Sequence, residues 1–262
     1  MLSDFEMIQH QFLGGQDITI IPIYDVHLGS PECMEQEFIQ FVNTVKESPN
    51  VYLILGGDLI DNGTRSSIAS PFAQKMRPSV QKREMANILE PIRDRILCII
   101  PGNHERRSGK DADDDPVYDI ACKLDIESVY RENIAFIKIQ MGRENSKDGK
   151  ARPTYTLVVT HGAGGGILTG GAVNRSERFG YVIDGMDALI IGHTHKPYTT
   201  QPGKIYFDAH NNRVSVKPFK VISATSWLSW GGYSAQKMLL PTSHCLTKLT
   251  LCGKTKEMIV EM

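Results

Sequence analysis

Short apolar runs alternate with longer amphipathic stretches in the N-terminal part of the chain. Apolar runs bounded by polar, glycine-rich turns predict buried strands over residues 17–25, 51–58 and 95–103. Between them, apolar side chains at helical spacing predict helices over residues 34–48 and 79–95. Strand, helix, strand, helix, strand is typical of right-handed crossover units, so we expect a largely parallel sheet with helices outside.

The rest of the chain is predicted to hold two more helices and further strands. The helices are expected over residues 113–125, where Pro116 lies in an acidic first turn, and 172–184. The further strands are expected over 134–141, 155–161, 187–193, 204–208, 213–225 and 245–252. The last three are expected to be antiparallel, and residues 142–153 to form a hairpin-like loop. Because no change in composition marks a linker, we predict one α/β domain over residues 1–262 with two packed sheets.

Composition narrows the class of protein. The hydrophobic content of 41% and charged content of 23% are typical of a globular chain, and a net charge of -1 argues against a broad basic surface for nucleic acid. No apolar run approaches the ~18 residues of a membrane span, and the first residues do not resemble a secretory signal. The five cysteines show no C-x-x-C pairing. We therefore expect a cytoplasmic protein with reduced thiols and without disulfides or a structural zinc site.

Side chains with metal-ligand chemistry follow one predicted strand after another. They are Asp25, His27, Asp58, Asn103, His104, His161, His193 and His195. In open sheets of this kind, ligands bind beyond the carboxyl ends of the strands. Five of the eight histidines fall at these positions, which is too many to attribute to chance.

Spacing sharpens the metal hypothesis. In an extended chain, residues i and i+2 point to the same side, so Asp25 with His27, and His193 with His195, can each direct two ligands at one point. A donor set of carboxylate, imidazole and amide without thiolate suits Mn²⁺, Fe²⁺ or Zn²⁺. Without His104, seven candidate ligands are too many for one catalytic ion that keeps open positions. They suit two ions that share a bridging carboxylate.

Five short motifs occur in a fixed order. They are D-x-H (25–27), G-D-x-x-D (57–61), G-N-H-E (102–105), T-H-G (160–162) and G-H-T-H (192–195). Together they resemble the calcineurin-like metallophosphoesterases, over about two-thirds of the chain. The resemblance implies a four-layer αββα sandwich of two mixed β-sheets flanked by helices.

The resemblance also implies a ligand for each metal position. One ion would be held by Asp25, His27 and His195, the other by Asn103, His161 and His193, and Asp58 would bridge them. Mn²⁺ is the expected metal, with Fe²⁺/Fe³⁺, Zn²⁺ and Ni²⁺ as alternatives. Such a pair of ions can share a hydroxide that attacks phosphorus in line.

Further roles follow from the same resemblance. His104 would face the substrate as general acid to the leaving oxygen, and Asp61 would orient this histidine and favour its protonated form. Glu105 is expected to play a supporting role. Arg106 and Arg107 are candidate phosphate clamps, with a solvated turn as the alternative.

Two positions bear on the type of ester. Serine/threonine protein phosphatases, one branch of the resembling family, carry arginine where this chain has Asn62 and Pro101. Without these two arginines, contacts with substrate phosphate are removed, which argues against protein dephosphorylation. P-G-N-H-E is closer to the prokaryotic phosphodiesterase and nuclease branches, and the overall layout resembles small bacterial and phage enzymes. We therefore expect a phosphodiesterase acting on a small-molecule phosphoester, a nucleotide or nucleic acid, although charge does not support nucleic acid. The alternatives are a phosphomonoesterase and a non-catalytic metal-binding scaffold.

Two segments keep two interpretations each. The glycine-rich residues 161–171 could form a lid or a close approach to phosphate, or a flexible loop behind a ligand. The segment 225–236, which contains both tryptophans, could pack in the core or offer a stacking surface to a base or sugar.

Overall fold

Two mixed β-sheets form the centre of the structure. It is a computed structural model that describes residues 3–65, 67, 71–142, 152–165 and 168–262. Its strands are β1 (Ile8–Phe12), β2 (Ile18–Ile23), β3 (Val51–Leu55), β4 (Ile96–Ile99), β5 (Ile134–Met141), β6 (Thr154–Thr160), β7 (Ala188–Ile191), β8 (Tyr198–Thr200), β9 (Gly203–Asp208), β10 (Arg213–Pro218), β11 (Lys220–Ser223), β12 (Lys248–Leu251) and β13 (Met258–Glu261). Its α-helices are α1 (Glu35–Glu47), α2 (Pro78–Leu89), α3 (Arg106–Ala112), α4 (Pro116–Leu124), α5 (Thr169–Val182) and α6 (Gly232–Gln236).

The strands fall into two sheets and one ribbon. The six-stranded sheet has the order β1-β5-β6-β7-β11-β8, and the five-stranded sheet the order β13-β12-β2-β3-β4. Strands β2, β3 and β4 are parallel, with α1 and α2 in the two connections, which confirms the predicted crossover units. The remaining pair, β9 and β10, forms a separate antiparallel ribbon.

Alternation of side chains along the strands produces four layers. Ile20 and Ile54 of the five-stranded sheet pack in one cluster with Leu157 and Ile190 of the six-stranded sheet, so the two sheets lie face to face. The opposite face of the five-stranded sheet packs on α1, α2 and α4 through side chains such as Leu53. The opposite face of the six-stranded sheet packs on α5. This confirms the predicted αββα arrangement.

Several predicted boundaries shift for local reasons. The helix predicted over 79–95 ends at Leu89, and Glu90–Arg95 continue as 3-10 helix around Pro91, which cannot donate a helical hydrogen bond. The helix predicted from residue 113 begins at Pro116, because the Asp115 side chain caps it by accepting from the N–H groups of Val117 and Tyr118. The strand predicted over 213–225 is two strands, β10 and β11, in different sheets.

The prediction that the strands of the C-terminal part, over residues 204–252, are antiparallel is confirmed in part. Strand β12 is antiparallel to β2 and β13, but β11 is parallel to β7 as well as antiparallel to β8. Strands β1, β8 and β13 and helices α3 and α6 were not predicted. The hairpin-like loop expected over 142–153 lies mostly outside the described residues. Within the described ranges, no helix combines the length and apolar character that a membrane span requires.

Candidate metal centre

The seven candidate metal ligands all follow carboxyl ends of strands. Asp25 and His27 follow β2, Asp58 follows β3, Asn103 follows β4, His161 follows β6, and His193 and His195 follow β7. Because β6 and β7 belong to one sheet and β2, β3 and β4 to the other, the seven side chains meet where the edges of both sheets come together.

The backbone at these positions is not extended. Five of the seven residues have positive φ angles in the left-handed region: Asp25 (53°), His27 (50°), Asp58 (52°), His193 (68°) and His195 (56°). Side chains of Asp, Asn and His tolerate this conformation better than most, and such strain is concentrated at functional sites. The extended-chain argument used to pair these residues is therefore wrong, although Asp25 and His27 do converge.

The first group of potential ligands consists of Asp25, His27 and His195. Asp25 Oδ1 lies 3.4 Å from His195 Nε2 and 3.9 Å from His27 Nε2. Both Asp25 Oδ1 and His27 Nε2 are buried and have no hydrogen-bond partner among the described residues. Two buried polar atoms that converge without partners are what a cation site requires, because burial of unsatisfied polar groups is otherwise costly. The residues therefore fit a divalent cation.

The second group consists of Asp58, His161 and His193, with Asn103 between the rings. Asn103 Oδ1 lies 2.7 Å from His193 Nδ1 and 3.0 Å from His161 Nε2. The Nδ1 atom of His161 is 2.9 Å from the carbonyl oxygen of Gly56, which directs Nε2 toward the group. His193 and His195 thus belong to different groups, and the prediction that they point at one place is wrong.

Asp58 lies between the two groups. Its Oδ2 atom is 3.3 Å from His161 Nε2 and 3.8 Å from His27 Nε2. Its Oδ1 atom accepts a hydrogen bond of 2.8 Å from the backbone N–H of His104. Asp58 also forms a third potential-ligand group with His27 and His104, at the open side. One carboxylate thus faces a histidine of each of the first two groups.

The ionisation of the buried groups favours ligand forms at most positions. Burial, followed by the charge of His104, lowers the pKa of His27 to about 3, which leaves a neutral imidazole. Burial raises the pKa of Asp58, but His161 and His104 outweigh it and hold this pKa well below its usual value. Burial lowers the pKa of His161, but Asp58 outweighs it and raises the pKa to about 9. A cation bound at His161 must therefore displace a proton.

His104 lies at the open side of the two groups. Its side chain is 20% exposed, and its Nδ1 is 2.8 Å from the backbone carbonyl oxygen of Asp61 and 3.5 Å from Asp61 Oδ1. Burial lowers the pKa of His104, but the charge of Asp58 and the hydrogen bond with Asp61 outweigh it, so the pKa is raised. The backbone of Asp61 therefore orients this ring more directly than its side chain does.

The two arginines that follow lie on α3 rather than in a turn. Arg107 Nη1 is 3.3 Å from His104 Nδ1 and donates to Ser67 Oγ at 3.3 Å. Arg106 donates to the backbone carbonyl of Glu132 and lines a cavity of about 360 Å³ with acidic neighbours. Of the two, the structure brings Arg107 to His104.

Glu105 and Asn62 hold the loops that carry the ligands. The fully buried Glu105 carboxylate accepts from the backbone N–H groups of Asp58, Ile60 and Gly102. Asn62 donates to the backbone carbonyl of His104 at 2.8 Å and to Ser108 at 2.9 Å. The sequence interpretation treated Asn62 as a missing arginine and did not foresee this buried bracing role.

The two segments with open interpretations are partly resolved. Trp227 is buried against Phe38, Phe41 and His244, whereas Trp230 is 55% exposed. Gly162 lies beside the second group, where a Cβ would be in ordinary van der Waals contact with His193 Cβ at 3.6 Å, so space alone does not require glycine, although its φ of 97° favours it. Residues 166 and 167 of the glycine-rich stretch, and the Tyr233 side chain, lie outside what is described.

Comparison with known proteins identifies the family. The sequence model of the calcineurin-like phosphoesterase family matches residues 25–197, which include every candidate ligand. Two solved structures are similar at low identity. One is a conserved uncharacterized protein of Streptococcus pneumoniae TIGR4, described as a predicted phosphoesterase (12% identity, TM-score 0.35, covering 89% of this chain and 83% of that one). The other is the NAD nucleotidase of Haemophilus influenzae (10% identity, TM-score 0.42). The match covers 94% of this chain but only 49% of that one. No curated protein matches the sequence. The match over residues 25–197 shows that the chain belongs to the calcineurin-like phosphoesterase family and is a metal-dependent phosphoric ester hydrolase.

Proposed function

We propose that the chain is a dinuclear metal-dependent phosphodiesterase that hydrolyses a nucleotide or another small phosphodiester. The observation that carries this proposal is the position of Asp58 between two groups of potential ligands, with His104 beside it on the open side. One group alone would indicate a single ion, whereas a carboxylate shared by two groups favours a pair.

The seven side chains give the pair of ions its ligands. Asp25, His27 and His195 would hold one ion, Asn103, His161 and His193 the other, and Asp58 both. Nitrogen and oxygen donors without thiolate favour Mn²⁺, with Fe²⁺/Fe³⁺, Zn²⁺ and Ni²⁺ as alternatives. When bound, the ions would supply Lewis-acid polarisation of the phosphoryl group and activation of a water nucleophile.

His104 holds the proton for the leaving oxygen. Because Nδ1 faces the carbonyl of Asp61, the proton available to a substrate is the one on Nε2. Asp58 and Asp61 outweigh burial and raise the pKa of this ring, which favours the protonated form that a general acid needs. Arg107, beside the same ring, is the better placed of the two arginines to contact a phosphate oxygen.

Charge favours a diester over a monoester. A diester carries one negative charge at phosphorus, whereas a monoester carries close to two at neutral pH. The positions that supply arginine in the protein phosphatase branch are Asn62, which is buried and donates to the His104 backbone, and Pro101. A site with these two cations replaced suits the less charged substrate.

The test is hydrolysis of bis(p-nitrophenyl) phosphate by protein loaded with Mn²⁺. His104→Ala should lower kcat by about 10²–10⁴-fold while metal content, measured by mass spectrometry, stays unchanged. His210→Ala, at an exposed turn, is the control and should keep full activity. Inactivity toward this diester with each of Mn²⁺, Fe²⁺, Zn²⁺ and Ni²⁺ would refute the proposal, and a protein that carries both ions but hydrolyses neither diester nor monoester would be a non-catalytic scaffold.

The choice between diester and monoester needs a direct comparison. The same metal-loaded protein should hydrolyse bis(p-nitrophenyl) phosphate with a higher kcat/KM than p-nitrophenyl phosphate. The opposite order would make the protein a phosphomonoesterase. A panel of cyclic nucleotides, dinucleotides, DNA and RNA then identifies the substrate class, and we expect the small nucleotides to be cleaved faster than nucleic acid because the net charge is -1. The cysteine pattern supports a cytoplasmic location for this activity.

A further inference from the structure

The ribbon of β9 and β10 turns its apolar face outward. Ile205, Phe207, Val214 and Val216 share one face, because Val214 is opposite Phe207 and Val216 is opposite Ile205. Their exposed fractions are 80%, 75%, 59% and 67% in that order. The other face carries the polar side chains, including Tyr206 with Lys217 over its ring. A sheet normally turns its apolar face to the core, so the outward apolar side chains of this ribbon are available to pack against cross-strand neighbours of an added strand.

The ribbon lies at the opposite end of the six-stranded sheet from the metal centre. It leads directly into β11, whose first residue Lys220 is opposite Ala188, the first residue of β7, whereas His193 and His195 follow the last residue of β7. Lys204 also donates to the carbonyl of Ile183, at the end of α5. A partner on the ribbon therefore leaves the metal centre open.

The outer edge of β9 is complementary to itself. Within the described part of the chain, β10 is the only strand paired with β9, so the other edge is free. If a second β9 is placed antiparallel with Tyr206 opposite Tyr206, Lys204 is opposite Asp208 and Ile205 is opposite Phe207 on each side. Opposite charges and apolar pairs at directly opposed positions stabilise antiparallel sheets. In the single chain Lys204 Nζ donates to the carbonyl of Ile183, so the pairing exchanges that contact for Asp208 of the second copy. A shift of the centre to Ile205 or Phe207 loses both charge pairs.

The edge of β10 lacks this property. Centred on Ser215, the same arrangement places Arg213 opposite Lys217, which are like charges, and Pro218 removes a backbone donor from that edge. Within the ribbon, the two most exposed apolar side chains, Ile205 and Phe207, also lie on β9 rather than β10. Both observations favour β9 as the paired edge.

We propose that a second copy of this chain pairs its β9 antiparallel with β9 across a two-fold axis at Tyr206, giving a continuous four-stranded sheet β10-β9-β9-β10. The ribbon alone is two strands, which is marginal in water, and the pairing doubles it. A second copy fits better than a membrane surface because the tip of the ribbon, residues 209–212, reads Ala-His-Asn-Asn and offers no large apolar side chain for insertion.

A cysteine at the two-fold axis tests the register. Tyr206→Cys should form an intermolecular disulfide with itself under mild oxidation, since directly opposed residues of antiparallel strands come within disulfide range. Peptide mapping should find the 206–206 link, which separates it from links through native cysteines. Ser215→Cys, opposite Tyr206 on β10, is the control and should give no such link. A dimer in solution without the 206–206 link would overturn the proposed pairing.

Charge reversal tests the same pairing without cysteine. In sedimentation experiments, Lys204→Asp and Asp208→Lys should each raise the dimer dissociation constant about tenfold, and the double variant should restore it. Lys248→Asp makes the same charge change on β12, in the other sheet, and should leave the dimer unchanged. Activity, which also reports folding, should be retained in every variant. A wild-type protein that stays monomeric at all concentrations, a double variant that is not restored, or a ribbon that binds anionic vesicles instead of a second copy would overturn the proposal.

Discussion

Replacement of Glu105 by glutamine tests how the ligand loops are held. The carboxylate is fully buried, and its Oε2 accepts from Asp58 N and Gly102 N at 2.9 Å each, while Oε1 accepts from Ile60 N at 3.0 Å. Glutamine has one acceptor oxygen. If that oxygen takes the place of Oε2, the first two hydrogen bonds survive and the amide group faces the N–H of Ile60.

Two effects of opposite sign set the expected magnitude. A buried donor left unsatisfied costs about 1–3 kcal/mol of stability. Against this, burial and then the charge of Asp58 raise the pKa of Glu105 from 4.5 to about 7. At 1.36 kcal/mol per pH unit, that rise makes the ionised form cost on the order of 3 kcal/mol on folding.

The sign of the pH dependence follows from the raised pKa. Because the folded protein binds the proton more tightly than the unfolded chain, the wild type has its full advantage below pH 4.5 and loses it as pH rises to about 7. The glutamine variant has no such dependence at this position. We therefore expect the variant to be the less stable protein in acid and to gain about 3 kcal/mol relative to wild type by neutral pH.

The assay is urea unfolding in EDTA at a series of pH values, since bound ions would add their own stabilisation. Glu132→Gln is the control, because Glu132 is exposed and lines the cavity that Glu105 and Arg106 also line. No pH-dependent gain in stability is expected for it. A stability difference that does not change with pH, or that grows as pH rises, would refute the reasoning. With metal present, the variant should also bind Mn²⁺ about 10–100-fold more weakly, because Glu105 holds the loops of Asp58 and Asn103.

Two further predictions concern packing and thiol chemistry. A Cβ at Gly102 would lie 2.1 Å from Asp58 Oδ1, so Gly102→Ala should lower the metal content measured by mass spectrometry. Gly165→Ala, with open space around it, is the control and should not. Equal metal content in both variants would contradict the close approach of Gly102 to Asp58. Hydrogen bonding by the Thr255 hydroxyl lowers the pKa of Cys252, and burial raises the pKa of Cys98 to about 12. Iodoacetamide should therefore modify Cys252 first and leave Cys98 unmodified in the folded protein, and early modification of Cys98 in peptide mapping would show that its burial is wrong.

Strands were predictable from the sequence where a clear apolar pattern begins and ends at definite residues. The boundaries of β5 agree with the predicted residues 134–141, because its side chains alternate between buried and half-buried positions over the whole strand. Strand β1 was missed because polar residues occupy three of its five positions, and it is ordered mainly by pairing with β5, which lies far away in sequence. Such pairing depends on tertiary context, which local pattern cannot report.

In the metal centre, too, the sequence predicted some features and could not predict others. Residue types and their positions after strands were sufficient to predict which side chains meet. The division of these side chains between the two groups was not predictable from extended spacing. Five of them have left-handed backbone, to which the side-chain directions of a strand do not apply: Asp25, His27, Asp58, His193 and His195. At residues 192–195 the chain turns tightly, with the N–H of Thr194 donating to the carbonyl of Gly192, and this turn sends His193 and His195 into separate groups. A local sequence signal does exist: Asp, Asn and His are the non-glycine residues that enter the left-handed region most readily. Their recurrence directly after buried strands therefore indicates sharp turns in the backbone as well as potential ligands, and it explains why the motif G-H-T-H contributes one histidine to each of the two groups.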